Sequence, residues 1–493
     1  MAETTGSSSG ASKLERQRLE KLSAIRELGV DPYGGRYDGV EPAAVVKTRF
    51  DDAGRDQEAT CAGRIVLLRD IGKLIFITLR DSSGTIQVGL SKKMLGEKWR
   101  LAKLLEVGDI IGASGVLGRT KTGEITIWVG GEGLTILSKC LCPPPEKFHG
   151  LADIDQRYRQ RYVDLWSNPE VMDRFKRRSA IIAEIRNYLS CRGFLEVETP
   201  MMQSIAGGAA AKPFITHHNS LDMDLFLRIS PELFLKRLLV GGMERVFEVN
   251  RNFRNEGLSR QHNPEFTMLE LYQAYADYNV MMELAEQMIG LCVEKFCPGG
   301  RVQFGDLTID YSRPWRRASY AELLGQYAGC DIDDIQGVRA KARQLGLEEA
   351  EMDDVVVVNE VFEATVEENL VCPTFVIDYP AELCPLTRRK RDAPEYAERF
   401  ELYIARMELA NAYTELNDPA VQEENFKIQL RGQQESMAKM DRDFITALKY
   451  GMPPAGGLGI GIDRLVMVLT GSRSIRDVVL FPLLKPKGGG AAD

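Results

Sequence analysis

From residue 60 to about 137 the apolar side chains come in short runs parted by Gly and Ser-Gly turns: CAGRIVLLRD, KLIFITLRD, GTIQVGLS, GDIIGASGVLGRT and GEITIWVG. Runs of this length bounded by turn formers predict strands. Five of them with one helical stretch, KMLGEKWRLAKLL, predict an OB-type Greek-key barrel. Such barrels commonly bind oligonucleotides, although small barrels also occur as purely structural modules. The three prolines of CLCPPPEKFHG break this pattern and place a domain boundary near 143–150. Beyond it, MDRFKRRSAIIAEIRNYLSCRG is amphipathic with a Gly stop, and NVMMELAEQMIGLCVEKF and RASYAELLGQYAG predict further helices. The strands between them are not spaced by regular crossover helices. Several read as consecutive hairpins, so the pattern predicts an α+β domain: an antiparallel sheet with helices packed on it.

The segment FEVNRNFRNEGLSRQHNPEFTMLELY, 247–272, mixes apolar and charged positions too evenly for an ordinary strand. Side chains alternate faces along a strand. Phe247, Val249 and Phe253 share one parity, and Glu248, Asn250, Asn252, Arg254 and Glu256 the other. After a loop that holds Gly257 and ends at Pro264, Phe266, Met268, Glu270 and Tyr272 share one face of a second strand. Folded as a hairpin, the pair has one apolar face and one that displays Arg, Glu, Phe, Glu and Tyr as a ligand floor. A plain polar face with cross-strand Arg–Glu pairs is the simpler alternative.

Composition narrows the classes. The chain has 493 residues, 44% hydrophobic and 27% charged, which suits a globular protein of two or more domains. No apolar run approaches the ~18 residues that span a bilayer, so no membrane association is expected. The start, MAETTGSSSGAS, lacks the marks of a secretory or organelle signal, and a cytoplasmic location follows. Nine Cys without a C-x-x-C pair and only four His disfavour a zinc or disulfide framework, so any metal would be held by carboxylates. The net charge of −8 argues against nonspecific coating of nucleic acid. KLERQRLEKLSAIRELG, 13–29, is nevertheless a local basic stretch on a helical pattern, either a patch for a partner or a solvated helix face.

Neither common phosphate loop is present: no G-x-x-x-x-G-K-[ST] occurs, and GGLGIGIDR, 456–464, spaces its glycines G-x-G-x-G. The Gly run permits close backbone approach on a strand that leads into the helix DRLVMVLTG, with Arg464 projecting at the junction. In RFELYIARMELANAYTELND, 399–418, Glu401, Glu408 and Glu415 recur at seven-residue intervals. Helical heptads would explain that spacing as a surface face, but FELYI is β-like and NAYTELNDP reads as an irregular turn. Carboxylates gathered in a pocket repel unless a cation neutralises them, and Mg²⁺ shared with substrate phosphates is one solution.

With these motifs together, the chain resembles a class II aminoacyl-tRNA synthetase, and within that class the lysyl-tRNA synthetases, over roughly residues 14–487. GFLEVETPMM, 193–202, is similar to the first signature motif of the class, with Pro200 at its dimer-forming end. FRNEGLSRQHNPEFTMLELYQAY resembles the second motif and GLGIGIDR the third. KPFITHHNSLDMDLFLRISPELFLKRLLVGG and NAYTELNDP resemble the lysine enzymes rather than the aspartate or asparagine ones. The resemblance implies a class II catalytic domain over 150–487, preceded by an OB-fold anticodon-binding domain over 21–145. Residues 1–20 would be a disordered tail and the start of a helix, and 488–493 a second tail.

The implied activity is ligation of L-lysine to tRNA(Lys) through lysyl-adenylate, with ATP, up to three Mg²⁺ ions and a homodimer. Arg254 would hold the α-phosphate and the amino-acid carboxylate, Glu256 the adenine amino group, and Phe266 would stack on adenine. His262 would touch the β- and γ-phosphates, and Arg464 would clamp the γ-phosphate. Glu401 and Glu408 would carry Mg²⁺. Gly208 and Glu232 would receive the α-amino group, Asn411 the carboxylate, and Glu415 and Tyr272 the ε-ammonium, with Glu270 and Tyr413 lining the pocket. In the barrel, Phe76 would stack a base and Gln87 read a base edge, with Arg64 and Arg69 nearby; Phe76 as a core residue is the alternative. Two departures stand out: the alanine-rich GGAAAKPF, and Ala405 where the family often has Gly. Two other functions fit the fold less well. A paralogue that lysylates protein would lack the barrel, and a non-catalytic nucleic-acid-binding regulator would show decay at Arg254, Glu401, Glu408 or Arg464.

Overall fold

The computed structural model describes residues 13–52, 57–143, 151–209, 211–431 and 440–486. The tails expected at 1–12 and 488–493 and most of the prolyl junction lie outside these residues. The chain divides into two compact units between Ala152 and Asp153.

The first unit holds helix α1 (Lys13–Glu27) and strands β1 (Glu58–Asp70), β2 (Leu74–Arg80), β3 (Thr85–Ser91), β4 (Ile110–Arg119) and β5 (Ile125–Ser138). The strands close into a barrel in the order β1-β2-β3-β5-β4. Strict alternation explains why: Ile75, Ile77 and Leu79 of β2 and Ile127 and Val129 of β5 are buried inside. Each such side chain contributes about 1.5–3 kcal/mol by leaving water. The basic stretch proves partly structural. Arg18 is buried and donates to the carbonyls of Cys140 (2.8 Å) and Val107 (3.0 Å), while Leu22 and Ile25 of the same helix are buried.

The second unit is built on a sheet whose described strands are β6 (Leu195–Glu196), β7 (Arg245–Phe253), β8 (Glu265–Ala274), β9 (Arg316–Ser319), β10 (Thr374–Ile377), β11 (Arg399–Ile404), β12 (Met407–Thr414) and β13 (Ala455–Gly461). Their spatial order is β9-β10-β11-β12-β13-β8-β7-β6, antiparallel except for the outer pairs β9–β10 and β7–β6. Helices α2 (Pro169–Ser190), α4 (Tyr278–Phe296) and α6 (Ile462–Thr470) cover one face, and α3 (Glu232–Val240) and α5 (Tyr320–Ala328) lie elsewhere in the unit. Phe247, Leu269, Leu271, Phe400, Leu402, Leu458 and Ile460 pack with these covering helices into a single core.

The hairpin β7–β8 has the register its parity demands. Asn252 faces Phe266, Asn250 faces Met268 and Glu248 faces Glu270, so these polar positions fall on one side, while Arg251, Thr267 and Glu265 fall on the other. The heptad alternative for Glu401, Glu408 and Glu415 is excluded, since the first two lie on paired strands. The expected irregular turn at NAYTELNDP is corrected too. Asn411 and Tyr413 belong to β12, where Tyr413 is flanked by Arg399 on one neighbour and Gly457 on the other. A strand held on both edges overrides the turn propensity of Asn. Between β11 and β12 the register slips by one residue, so Glu401 faces Asn411 while Tyr403 faces Glu408. This bulge turns Glu408 to the same face as Glu401 and Asn411.

Candidate active site

On the uncovered face of the sheet lies a cavity of about 660 Å³. All fourteen residues singled out in this unit line it: Gly208, Glu232, Arg254, Glu256, His262, Phe266, Glu270, Tyr272, Glu401, Glu408, Asn411, Tyr413, Glu415 and Arg464. Its floor is the glycine strand β13. A Cβ at Gly457 would lie 2.0 Å from Glu415 Oε1 and 2.6 Å from the Tyr272 ring, and one at Gly459 would lie 3.3 Å from Met268. The odd-numbered glycines are therefore absences of side chain that make room for the walls. Gly208, at φ +86°, sits against Glu232 Cβ and Ser230 Oγ in the same way.

One end of the cavity is cationic. The Arg254 guanidinium lies 5.2 Å from the centre of the Phe266 ring, and its buried Nε has no hydrogen-bond partner among the described residues. A buried donor without a partner costs roughly 1–3 kcal/mol, which an anionic ligand would recover. Arg464 donates to the Glu408 carbonyl (2.5 Å) and to His262 Nε2 (3.0 Å). His262 Nδ1 in turn meets Ser259 Oγ at 2.8 Å. Burial, then the Arg464 charge, holds the His262 pKa below its usual value, so the ring is neutral and Nε2 accepts. A phosphate contact from His262 therefore requires this bond to Arg464 to open. Glu256 is exposed at the rim.

Between the ends stand the two paired carboxylates. Glu401 Oε2 accepts from Tyr379 (2.7 Å) and Tyr403 (2.8 Å), and Arg399 pairs with Oε1. Glu408 is half-buried, 3.6 Å from Arg464, and its pKa is raised by burial and then by Glu401. Among the described residues no three His, Cys, Asp or Glu side chains form a metal cage on their own. Two carboxylates that repel each other beside a polar cavity do suit a divalent ion completed by phosphate oxygens.

The other end is acidic. Glu232, Glu270 and Glu415 converge there, all buried. Ser230 donates to Glu270 Oε1 (2.9 Å), Tyr272 to Oε2 (3.3 Å), and Tyr413 to Glu232 Oε1 (2.8 Å). Burial and then the Glu232 charge push Glu270 up to about 8. Burial likewise raises Glu415 to about 8, against the pull of a lysine ammonium. That lysine, Lys236, was not singled out from the sequence. It is wholly buried, 2.6 Å from Glu232 and in ion-pair contact with Glu415. Its i,i+4 spacing from Glu232 in ELFLKRLL was the available signal. Neither Glu415 oxygen has a well-directed hydrogen bond among the described residues, so Lys236 pairs with it by charge and leaves its acceptor capacity open.

In the barrel, Phe76 is half-buried on the outside of β2 and meets Trp128 edge-on at 5.8 Å. Arg69 is its cross-strand partner on β1. Gln87 lies on the adjacent strand and accepts from Thr126 at 2.8 Å. Phe76 is thus not a core residue. Arg64 pairs with Arg80, four positions further along β2 from Phe76, and donates to the Gly108 carbonyl (2.7 Å). Trp128 was missed, although the alternation in ITIWVG puts it outside with Thr126.

Residues 153–485 match the family described as tRNA synthetases class II (D, K and N). The chain belongs to the class II tRNA synthetases. Residues 59–131 match a second family, the OB-fold nucleic acid binding domain. Among similar proteins is a lysine–tRNA ligase of Syntrophomonas wolfei, 51% identical over 97% of this chain and 98% of its own length. Those of Carboxydothermus hydrogenoformans, 51% identical over 96% and 98%, and Pelotomaculum thermopropionicum, 50% over 99% and 98%, are similar to the same extent. For a class II synthetase the antiparallel sheet and its uncovered face are the expected catalytic platform. Ala405, noted as a departure, sits at φ +54° and Arg406 at φ +66°, a two-residue turn joining β11 to β12. Both left-handed residues are non-glycine, and the backbone is held by bonds from Ala405 N to Val371 O and Arg406 N to Leu370 O.

Proposed function

We propose that the chain is an ATP-dependent lysine–tRNA ligase. The carrying observation is that one cavity has a cationic end at Arg254 and Arg464 and an acidic end at Glu232, Glu270 and Glu415. ATP occupies the first end and lysine bridges to the second. A lysine carboxylate oxygen attacks the α-phosphorus, the bond to the bridging oxygen of pyrophosphate breaks, and lysyl-adenylate forms. No protein nucleophile is needed, only positioning and charge neutralisation. Arg254 binds the α-phosphate and the amino-acid carboxylate, where one well-placed donor is worth ~3 kcal/mol in the transition state. Phe266 stacks adenine, Glu256 meets its amino group, and Arg464 and His262 meet the outer phosphates.

Glu401 and Glu408 hold Mg²⁺, up to three ions entering with ATP, which would neutralise the triphosphate. Gly208 and Glu232 take the α-amino group, Asn411 the carboxylate, and Glu415 with Tyr272 the ε-ammonium, between Glu270 and Tyr413. An amino acid with no terminal cation leaves buried carboxylates unsatisfied, a mismatch that can reject analogues by ~10⁴. An acidic pocket also disfavours aspartate.

The lysyl group then passes to the terminal ribose of tRNA(Lys), whose anticodon Phe76, Gln87 and Arg64 would read. We further propose a cytoplasmic homodimer. Leu195 (53%), Met201 (42%) and Met202 (57%) are exposed around Pro200, a patch suited to a second copy. No described helix is long and apolar enough to cross a membrane. ATP–pyrophosphate exchange with each of the twenty amino acids tests the reading. Lysine should exchange fastest by orders of magnitude, and a faster exchange with any other amino acid would overturn it. Sedimentation of the purified chain tests the dimer.

A further inference from the structure

We propose that Lys236 is a positioning residue that sets the specificity of the acidic end: a built-in ammonium behind the pocket wall that leaves the pocket two positive charges short. This rests on the lysine–tRNA ligase reading above. Lys236 reaches the site from α3 and does not itself line the cavity. It touches Glu232 on its own helix (2.6 Å) and Glu415 beyond the end of β12, and lies 5.5 Å from the Tyr413 ring centre. The groups facing it and its two partners are Glu270 and Tyr272 from β8, Tyr413 from β12, and Arg254 nearer the cationic end. On its other side α3 is tied by Arg237 to Asp441 (2.8 Å), a separate pair.

Three carboxylates and one ammonium carry a formal charge of −2. Lysine brings two ammonium groups, and its carboxylate falls to Arg254. The count therefore closes only with Lys236 in place. Without it the pocket would be three charges short, and three buried carboxylates would hold extra protons instead of meeting the substrate. With it, Glu232 and Glu415 are tethered at a fixed separation, and the protons that burial places on Glu270 and Glu415 leave when lysine binds. The ammonium thus opposes protonation of Glu415 and keeps both acceptors aimed while taking no room from the ligand.

The test is Lys236→Met, close in volume and uncharged, assayed by exchange from pH 6.5 to 9. The lysine KM should rise at least tenfold at pH 7 with ATP KM and kcat changed less than threefold. The rise of kcat/KM for lysine with pH should move upward by about one unit, so the defect shrinks at pH 9. Lys236→Arg should keep the parent profile. An unchanged lysine KM, or a pH-independent loss shared by lysine and ATP, overturns the inference. Parent activity with lysine leaves the functional reading standing in that event. If Lys236→Met does not fold, calorimetry of lysine binding to the parent enzyme in buffers of different ionisation enthalpy decides. Release of about one to two protons at pH 7, from Glu270 and Glu415, is expected, and release of none overturns the charge count.

Discussion

Gly457→Ala places one methyl group where the structure has no space. Its Cβ would lie 2.0 Å from Glu415 Oε1 and 2.6 Å from Tyr272. Ordinary contact begins near 3.4 Å, so the carboxylate must retreat by about 1.4 Å. It cannot do so freely, because Lys236 holds it, its backbone N–H is bonded to Ala455 O (2.8 Å), and its side chain is fully buried. Overpacking of this kind costs roughly 1–3 kcal/mol of stability. Retreat also removes or misaims a charge-assisted contact to the ε-ammonium, worth about 1.5–3 kcal/mol. At 1.4 kcal/mol per decade, kcat/KM for lysine should fall about 10- to 150-fold, while the ATP KM, governed by the other end of the cavity, stays within about twofold. ATP–pyrophosphate exchange with varied lysine and then varied ATP measures both, and thermal denaturation by circular dichroism shows whether the variant folds. A folded variant with parental kcat/KM for lysine would refute the claim that the glycine strand seats Glu415.

Arg254→Ala should lower exchange by at least ~10²-fold with the fold intact, since it removes the donor aimed at the reacting phosphate; near-normal exchange would misplace the cationic end. Glu270, held near 8, is protonated in the empty pocket at neutral pH. The kcat/KM for lysine should therefore rise as pH climbs from 6.5 toward 8 and then level, and a flat profile would contradict this. The same raised pKa acts oppositely on folding. The folded chain keeps a proton that the unfolded one releases above about 4.5, so the stability this group contributes is lost as pH climbs to about 8, and added lysine should offset that loss in melting curves. Phe76→Ala, or Trp128→Ala beside it, should raise the tRNA KM about 5- to 150-fold, the range of a lost stacking contact, and leave exchange untouched. Equal loss in exchange would mean the barrel face serves folding instead.

The barrel and the hairpin β7–β8 were legible from local pattern. In both, a period of two writes the buried and outward faces directly into the order of residues, and a neighbouring strand has only to accept them. The same logic places Arg254, Phe266, Glu270 and Tyr272 on one floor from the order of residues alone. The alternation of ITIWVG would have added Trp128. The carboxylates of 399–418 were less legible. Their seven-residue spacing suits a helix as well as a bulged hairpin, and NAYT looks like a turn until its two neighbouring strands are known. Gly457 could be seen as backbone clearance, but not what it clears. Lys236 lay beyond local inference. Its one-turn spacing from Glu232 was visible, while its second partner, Glu415, lies 179 positions away along the chain. Sequence alone determined which faces are apolar, because hydrophobic burial is read from periodicity one element at a time. Tertiary structure decided which buried charges meet, because an ion pair between distant elements depends on strand order and crossing, which no local period encodes.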